Sequence, residues 1–591
     1  MRGNASITSG RNTTMLEYVI RNGLVVDGSG APGRRADVGI RDGVIVAVGD
    51  VGERGTTELD AEGMVVAPGI IDPHTHYDAQ LFWDPTASPS NLHGVTTVIG
   101  GNCGFTLAPI KAADHDYIRR MMAKVEGMPL DALENGIAWD WTSFGEYLDR
   151  LEGNLGVNAG FLVGHCALRR WVMGSERASA VASDEELAAM TQLLAESIEA
   201  GGLGFSSSQS RTHSDGDGNP ISSRHADRRE MLAFCEVVRD HPGTTLEYIT
   251  DGCLDTFSDR EIDLMVAMTT TAHRPLNWNL LTVDSRTPDK TARQLEASSA
   301  ATRAGGRIVA LTMPTLVPMN MSFRTHCALF LIPGWGDVMG LPVEERIERL
   351  RDPAVRAHLD ELAHSDQAGV FRRLSRWANY IVGDTFAPEN EGLSWRDVGS
   401  IAEEQGKAPF DALLDLVIAD DLRTVLWPKA SDGDDASWQA RVEVWDNPGA
   451  MVGGSDAGAH LDRMCGSNYP TSFLGDCLRK RKLVPLERAV QLMTEAPAEL
   501  FGLHDRGRVA VGLSADLFVF DPETIGSEPA TLVHDLPGGS PRLIADSLGV
   551  VRVLVNGVET VADGKPTGNL PGTLLRSGRD TVTVDPTPAQ A

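Results

Sequence analysis

The chain lacks three features that would assign it to other common classes of protein. No stretch of its 591 residues approaches the ~20 consecutive apolar residues that a membrane-spanning helix requires. Bases are scarce relative to acids, 53 against 82, so the formal net charge of −29 disfavours binding to nucleic acid or an anionic membrane. Cysteine is also sparse, with seven residues that show no paired spacing. This pattern, together with a first segment (1–14) that has no apolar signal region, predicts a cytoplasmic protein with reduced thiols.

The alternation of apolar strands with amphipathic helices predicts an α/β barrel. The length accommodates a barrel of ~250 residues with insertions and a second domain. One unit illustrates the pattern: Ser183 and Glu186 form a capping-box sequence, and Leu187, Met190 and Leu194 then share one helical face. Repeated strand–helix units of this kind are typical of a parallel barrel.

Short β-rich blocks occur near both ends of the chain and predict a small β-sandwich assembled from the two ends. Asp-Gly pairs between apolar runs indicate hairpins in these blocks. The predicted organisation is a flexible lead-in over 1–14, β-sandwich over 15–66 and 501–580, a barrel over 67–500 and a tail over 581–591. The stretch 318–446 is too long for one connection and predicts a mostly helical insertion that caps the barrel mouth.

A His-x-His motif, His74-Thr75-His76, follows the apolar run 64–72. Side chains at positions i and i+2 of an extended segment point the same way, so both imidazoles can contact one ion. Imidazole suits zinc and related divalent metals. The motif therefore predicts a metal site at the end of a strand.

The sequence around this motif resembles the amidohydrolase superfamily. Residues 67–78 (APGIIDPHTHYD) are similar to its first barrel strand, and residues 93–105 (HGVTTVIGGNCGF) to the second strand of the N-acyl-D-amino-acid deacylase (D-aminoacylase) branch. The resemblance extends from about Leu16 to Arg576. It implies a (β/α)8 TIM-like barrel with a small β-sandwich built from both chain ends, and it implies that Cys103 is a zinc ligand.

The resemblance also implies roles for residues that follow later strands. Asp456, in Gly-Ser-Asp-Ala-Gly, matches the eighth-strand aspartate, which would act as general base and then general acid. The alternative is a turn with a helix N-cap. His165 and Arg169 resemble a Gly-His-x-x-Leu-Arg motif of the third strand and are predicted to contact substrate. A structural histidine bonded to a loop carbonyl is the competing interpretation of His165.

Two departures from the family pattern concern the metal. The family supplies zinc-binding histidines from strands five and six, where this chain has Glu247 and Asn279. Glu247 is predicted to be a ligand because carboxylate oxygen can bind zinc, whereas an amide oxygen is a poor zinc ligand. No lysine occurs between Lys124 and Lys290, which excludes the carboxylated strand-four lysine that bridges two metals in hydantoinase-like relatives.

Together these residues predict a zinc-dependent amidohydrolase of a linear, non-peptide amide. One zinc ion is expected, with a second zinc or another divalent metal left open. The expected substrate is a small, carboxylate-bearing amide, and Arg169, Arg324 and Arg463 are the candidate cations for it. Two alternatives stay open: a hydrolase of another C–N bond, such as a cyclic amide or carbamate, and a metal-poor pseudoenzyme that serves in binding or assembly. A homo-oligomer is expected, as is common for enzymes of this size.

Overall fold

Eight parallel strands follow one another through the middle of the chain. The computed structural model describes residues 15–325 and 327–586, so the predicted lead-in over 1–14 and the end of the predicted tail lie outside the described residues. The first three strands pair in sequence, the later ones form a six-stranded sheet, and a parallel bridge between Thr75 and Ala457 joins the last strand to the first. The strands are Ile70–Asp72, Val95–Gly100, Asn158–Phe161 with Val163–Gly164, Gly204–Ser208, Thr245–Ile249, Leu276–Trp278, Ile308–Thr312 and Ala450–Val452.

Helices cover the outside of these strands, which explains why the strands are buried on both faces. The predicted capping box is confirmed: the Ser183 side chain accepts a hydrogen bond from the Glu186 backbone amide, and the helix Asp184–Glu199 follows. Equivalent boxes begin two further helices. The helices are His115–Val125, Leu130–Asn135, Phe144–Leu151, His165–Arg177, Asp184–Glu199, Arg228–Asp240, Asp259–Ala272, Pro288–Arg303, Asp435–Trp445, Tyr469–Arg479, Leu486–Met493 and Glu495–Phe501. None of the helices in the described ranges combines the length and apolar composition that a membrane crossing needs.

A helical insertion with its own hydrophobic core separates the seventh and eighth strands. Its buried cluster extends from Met321 to Leu426 and is centred on stacked aromatic rings, among them Trp377 and Phe410 with ring centroids 4.6 Å apart. The helix Asp435–Trp445 packs instead with the barrel core, so the core of the insertion ends before this helix. The insertion contains the helices Gly336–Met339, Val343–Arg351, Pro353–His364, Val398–Gln405 and Pro409–Ala419 and the paired strands Tyr380–Val382 and Leu426–Pro428.

A nine-stranded sheet combines strands from both ends of the chain. The strand Val65–Pro68 pairs antiparallel with Leu517–Phe520, and this pairing joins the two halves. Asp42 and Gly43 both have positive φ, 52° and 73°, as the predicted tight hairpin turn requires. The remaining strands are Leu16–Val25, Arg34–Arg41, Val44–Gly49, Gly55–Asp60, Val550–Val555, Val558–Ala562 and Lys565–Pro566.

A buried ion pair connects this sheet to the barrel. Arg506 Nη1 donates to Asp516 Oδ2 at 2.9 Å, and both side chains are under 5% exposed. Asp516 also accepts hydrogen bonds from Asn158 of the third barrel strand, at 3.0 Å, and from the Asn556 amide, at 2.7 Å. The carboxylate therefore connects three separate segments of the chain.

We expect Asp516→Ala to lower the free energy of unfolding by about 1–3 kcal/mol, because the buried Arg506 guanidinium keeps only the partly exposed Asp505 as a partner and the Asn556 amide loses its acceptor. The measurement is the urea midpoint followed by circular dichroism. Arg35→Ala is the control, because Arg35 and its partner Glu62 have side chains 69% and 68% exposed. Such exposed pairs contribute about 0–1 kcal/mol. Equal midpoints for the two variants would contradict the stabilising role of the buried pair.

Candidate metal centre

His74 and His76 lie just beyond the first barrel strand and are both buried. The intervening Thr75 is fixed by its neighbour strand, because its amide and its hydroxyl each donate to Ile99 O at 2.9 Å. The His76 amide donates to Ala457 O at 2.7 Å. The two rings are therefore held on one side of the segment, with centroids 5.3 Å apart, as the spacing predicts.

Cys103 follows the second strand in a tightly held loop. Its backbone φ is +57°, a left-handed conformation that costs a non-glycine residue free energy and is common at functional sites. Ser206 of the fourth strand fixes both sides of the loop, since its hydroxyl donates to Gly101 O and accepts from the Gly104 amide. The result places Cys103 Sγ 3.5 Å from His74 Nε2.

Asp456 follows the eighth strand and faces both histidines. Its Oδ1 lies 3.3 Å from His74 Nε2 and 3.6 Å from His76 Nε2. Burial raises the pKa of this carboxyl, but the close approach and the charges of the two imidazoles outweigh burial, so the pKa lies well below its usual range. The carboxyl is therefore an anion directed at the two imidazoles.

The donors His74, His76 and Cys103 have ligand atoms that all lie within 4.8 Å of one another. Two ligands of a tetrahedral zinc ion at 2.0–2.1 Å would be about 3.4 Å apart. The distances from His74 Nε2 to Cys103 Sγ and to Asp456 Oδ1, 3.5 and 3.3 Å, agree with that separation. The donor types and their spacing therefore fit a zinc ion.

The electrostatics of the site also fit a cation. Burial raises the pKa of the Cys103 thiol well above its usual value, and the charges of Glu247, Glu126 and Asp456 raise it further. A nearby metal ion is what would stabilise the thiolate. Across residues 15–325 and 327–586, no lysine or arginine forms an ion pair with Glu126, Glu247 or Asp456, and Glu247 Oε1 and Asp456 Oδ1 are buried without a hydrogen bond. The site thus gathers carboxyl groups without a lysine or arginine partner, an arrangement that a bound cation would stabilise.

Glu247 and Asn279, which the resemblance predicts at the positions of two family histidines, both border this site. Glu247 Oε2 accepts a hydrogen bond from the Cys103 amide at 2.9 Å, while its Oε1 has no partner. Asn279 Nδ2 lies 3.1 Å from His74 Nε2 and Asn279 Oδ1 has no hydrogen bond. A metal ion on His74 Nε2 would require the amide to turn its oxygen towards the site.

The predicted substrate contacts lie in different surroundings. His165 and Arg169 form a buried network with Glu230: His165 Nε2 is 2.7 Å from Glu230 Oε1, and Arg169 Nη1 is 2.5 Å from the same oxygen. Arg169 also donates to the carbonyls of Ala178 and Ala180, and His165 Nδ1 lies 2.8 Å from Ser207 Oγ. These polar atoms are engaged within the protein, so the geometry gives no support to a substrate contact.

Two other candidate cations have different positions. Arg463 lies on the same loop as Asp456, is partly exposed and donates from Nε to Asp462 Oδ1 at 2.9 Å. Arg324 belongs to the insertion, where it donates to the Asp421 carbonyl at 3.2 Å. Of the two, only Arg463 is carried by a loop that also carries a residue of the site.

Two residues of this region, Glu126 and His460, were missed by the sequence reasoning. Glu126 Oε2 lies 3.5 Å from His76 Nε2, although Glu126 belongs to the connection between the second and third strands. The charge of Asp456 acts on the pKa of His460 and on that of His213, which lies in the loop after the fourth strand. Glu126 sits in an outer segment without a motif, so no sequence signal identifies it. For His460, the only available indication was its position after the eighth barrel strand.

Comparison with known proteins assigns the class. Residues 57–567 match the model of the amidohydrolase family, and residues 2–71 match that of the urease alpha-subunit N-terminal domain. The chain belongs to the amidohydrolase family.

Within that family the similarity is to D-aminoacylases. The chain is 30% identical to the D-aminoacylase of Alcaligenes xylosoxydans xylosoxydans over 564 residues, which cover 95% of this chain and 97% of the relative. It is also 30% identical to an N-acyl-D-glutamate deacylase of the same organism over 588 residues, or 95% and 96% of the two chains. It is therefore a member of the D-aminoacylase branch.

Solved structures agree with this assignment. A D-aminoacylase crystal structure matches with a TM-score of 0.61 at 25% identity, over 95% of this chain and 100% of the other. A second D-aminoacylase structure, with a TM-score of 0.62 at 25% identity and the same coverage, has a binuclear metal centre with one-metal activation and second-metal attenuation. The predicted fold class, a barrel with a β-sandwich from both chain ends, is confirmed.

Proposed function

We propose that this chain is a metal-dependent hydrolase of the amide bond of N-acyl-D-amino acids. The single observation that carries the proposal is the convergence of His74, His76, Cys103 and Asp456 at the carboxyl ends of barrel strands, where barrel enzymes carry their active sites. The activity of the curated relatives, D-aminoacylase and N-acyl-D-glutamate deacylase, supports the substrate class.

The donor set supports zinc as the metal. His74, His76 and Cys103 are nitrogen and sulfur ligands, which favour zinc over magnesium or calcium. We propose Glu247 as a further ligand through its unpartnered Oε1, because its other oxygen is committed to the Cys103 amide. One zinc ion per chain is proposed, since strands five and six lack histidine and the fourth strand lacks lysine. One-metal activation of a solved D-aminoacylase is consistent with this stoichiometry.

The chemistry follows from the position of Asp456. When bound, a divalent metal supplies polarisation of the amide carbonyl and a water molecule of lowered pKa. Asp456 is ionised and faces both imidazoles, so it can accept the proton of the attacking water. The protonated Asp456 then donates that proton to the leaving nitrogen, which departs as an amine.

Arg463 is the proposed partner of the substrate carboxylate. It is carried by the same loop as Asp456 and has a partly exposed guanidinium, which can form charge-assisted hydrogen bonds to a carboxylate. The two buried candidates, His165 and Arg169, are proposed to support the third and fourth strands through Glu230 rather than to contact substrate.

A substrate panel tests the proposal. Zinc-loaded protein is incubated with N-acetyl-D-amino acids, their L enantiomers, hydantoin and dihydrouracil, and the released amine or ring-opened product is quantified. We expect kcat/KM for at least one N-acetyl-D-amino acid to exceed that of its enantiomer by roughly 10²-fold or more. Preferred hydrolysis of the cyclic amides would support the alternative C–N bond hydrolase, and no hydrolysis of any compound would favour the pseudoenzyme.

We also propose that the protein is a cytoplasmic homo-oligomer. The unpaired cysteines support a reducing compartment, since all seven are free thiols in the structure. Symmetric assembly is the common state of enzymes of this size.

A further inference from the structure

We infer that Glu126, which lies outside the barrel strands, is a carboxylate ligand of the metal centre, and that a bound cation thereby fastens the outer helix His115–Val125 to the barrel. This inference rests on the proposed metal-dependent function. It adds to the proposed ligands a residue, Glu126, that no barrel strand carries. It also implies that zinc binding attaches the helix His115–Val125 at the barrel mouth.

The position of Glu126 is fixed by the backbone. The residue ends the helix His115–Val125, and its amide donates to Met122 O as the last helical hydrogen bond. Its own carbonyl accepts a hydrogen bond from the His460 amide at 2.5 Å, which attaches the helix end to the loop that carries Asp456. The next residue, Gly127, has φ of +59°, and a Cβ there would lie 3.1 Å from Arg463 Nη2 and 3.2 Å from His460 Cα. Only glycine allows this close approach without adjustment.

The carboxylate has no counter-charge from a lysine or an arginine. The residue is 3% exposed, and within the described ranges its side chain forms no hydrogen bond and no ion pair except the 3.5 Å approach of Oε2 to His76 Nε2. A buried carboxylate normally requires a paired cation and hydrogen bonds. Glu126 therefore lacks the partners that a purely structural buried acid would have.

A second carboxylate approaches the same nitrogen of His76. His76 Nε2 is also 3.6 Å from Asp456 Oδ1, so two carboxylates face one imidazole. Asp78 is a third buried carboxylate whose charge acts on both His76 and Glu126. A divalent cation on His76 balances two of these charges at once.

The geometry places Glu126 on the ligand side of His76. Its Oε2 faces Nε2, the same nitrogen that Asp456 approaches, and the separations of 3.5 and 3.6 Å agree with each other. Both values match the spacing of about 3.4 Å between two ligands of one zinc ion. The carboxylate is thus directed at the metal position and not at the far edge of the ring.

The helix that carries Glu126 also contacts two other elements of the mouth. Arg120 Nη1 donates to Asp217 Oδ1 in the loop after the fourth strand at 2.6 Å, and Lys124 Nζ lies 5.7 Å from the ring centroid of Phe330 in the insertion. These contacts are exposed and contribute little individually. A metal ion on Glu126 would add a side-chain connection between this helix and the catalytic centre to the backbone hydrogen bond from His460 and to the packing of Ile118, Met121 and Met122 in the core.

Hydrogen–deuterium exchange and zinc affinity together test the inference. In wild type, zinc is expected to slow amide exchange in residues 115–127 by about tenfold or more. Glu126→Gln, which preserves size and removes the charge, is expected to lose this zinc-dependent protection and to weaken zinc binding by about 10–100-fold, the range seen when groups that support a metal site are removed. Glu126→Asp retains the charge with a shorter reach and should give an intermediate affinity. Glu134→Gln, exposed on the next helix, should match wild type in both measurements.

The outcomes separate this inference from the proposed function. Wild-type protein that binds no zinc would refute the metal-dependent function itself. Wild-type protein that binds zinc and hydrolyses substrate, while Glu126→Gln retains the same zinc affinity and the same protection of residues 115–127, would overturn only the role of Glu126. If Glu126→Gln does not fold, two other results together would overturn the role of Glu126. The first is a zinc affinity of Glu126→Asp equal to that of wild type. The second is the absence of zinc-dependent protection of residues 115–127 in wild type.

Discussion

Asp456→Asn is expected to reduce kcat by roughly 10²–10⁴-fold, the contribution typical of a general acid–base group. Asparagine preserves the size of the side chain but can neither accept the proton of the attacking water nor return it to the leaving nitrogen. The zinc content is expected to stay near that of wild type because His74, His76 and Cys103 are unchanged. The measurement is kcat and KM on the best substrate of the panel, with the metal content determined on the same preparation.

The control for this prediction is Asp366→Asn in the insertion, where the aspartate side chain is fully exposed. It should retain wild-type kcat. A reduction of less than tenfold in Asp456→Asn with full zinc occupancy would mean that another group transfers the proton. His213 and His460, whose pKa values the charge of Asp456 affects, would then be the next residues to substitute.

The second large effect concerns metal occupancy. We expect His76→Ala and Cys103→Ser to reduce zinc from about one ion per chain to less than about 0.1, because each removes one of the three convergent nitrogen and sulfur donors, and the carboxylates proposed beside them favour zinc less than these donors do. The measurement is mass spectrometry of the metal in purified protein, after dialysis against a weak chelator. Hydrolysis should fall in parallel with the zinc content.

Cys235→Ser is the matched control for the cysteine. Cys235 is also a buried free thiol, but it lies on the helix Arg228–Asp240 and away from the site. It should retain zinc and activity. Full zinc occupancy in Cys103→Ser would show that the remaining ligands suffice, and about two zinc ions per wild-type chain would show that the ligand set is incomplete.

Sequence patterns predicted the parts of the site that depend on local geometry. His74 and His76 face one way because they are two residues apart in an extended segment, and Cys103 and Asp456 follow strands whose ends meet at one edge. Asn279 was placed near the metal because it follows the sixth strand, where the resemblance implies a zinc-binding histidine, and it lies beside His74.

The remaining features depend on pairings between distant segments, which no local pattern encodes. The motif around Arg169 predicted a substrate contact, but the Arg169 guanidinium binds Glu230. Glu230 lies on a different helix, 61 positions further along the chain. Glu126 was not identified because it ends an outer helix and reaches His76 only through the packing of that helix. The hydrophobic core of the insertion ends near Leu426 because the next helix contributes Trp438 and Trp445 to the barrel core, a choice between two cores that composition does not determine.

The sheet built from both chain ends has a consequence for biosynthesis. Tyr18 donates its hydroxyl hydrogen bond to Glu559 at 2.5 Å, across 541 positions of the chain. The strand Val65–Pro68 likewise acquires its partner Leu517–Phe520 only after the whole barrel has been translated. At ~5–20 residues per second, the N-terminal strands wait on the order of half a minute or more with an open edge on the ribosome. Unpaired strand edges promote association with other chains. The nascent protein is therefore most prone to aggregation, and most dependent on chaperones, between translation of the first and the last strands of this sheet.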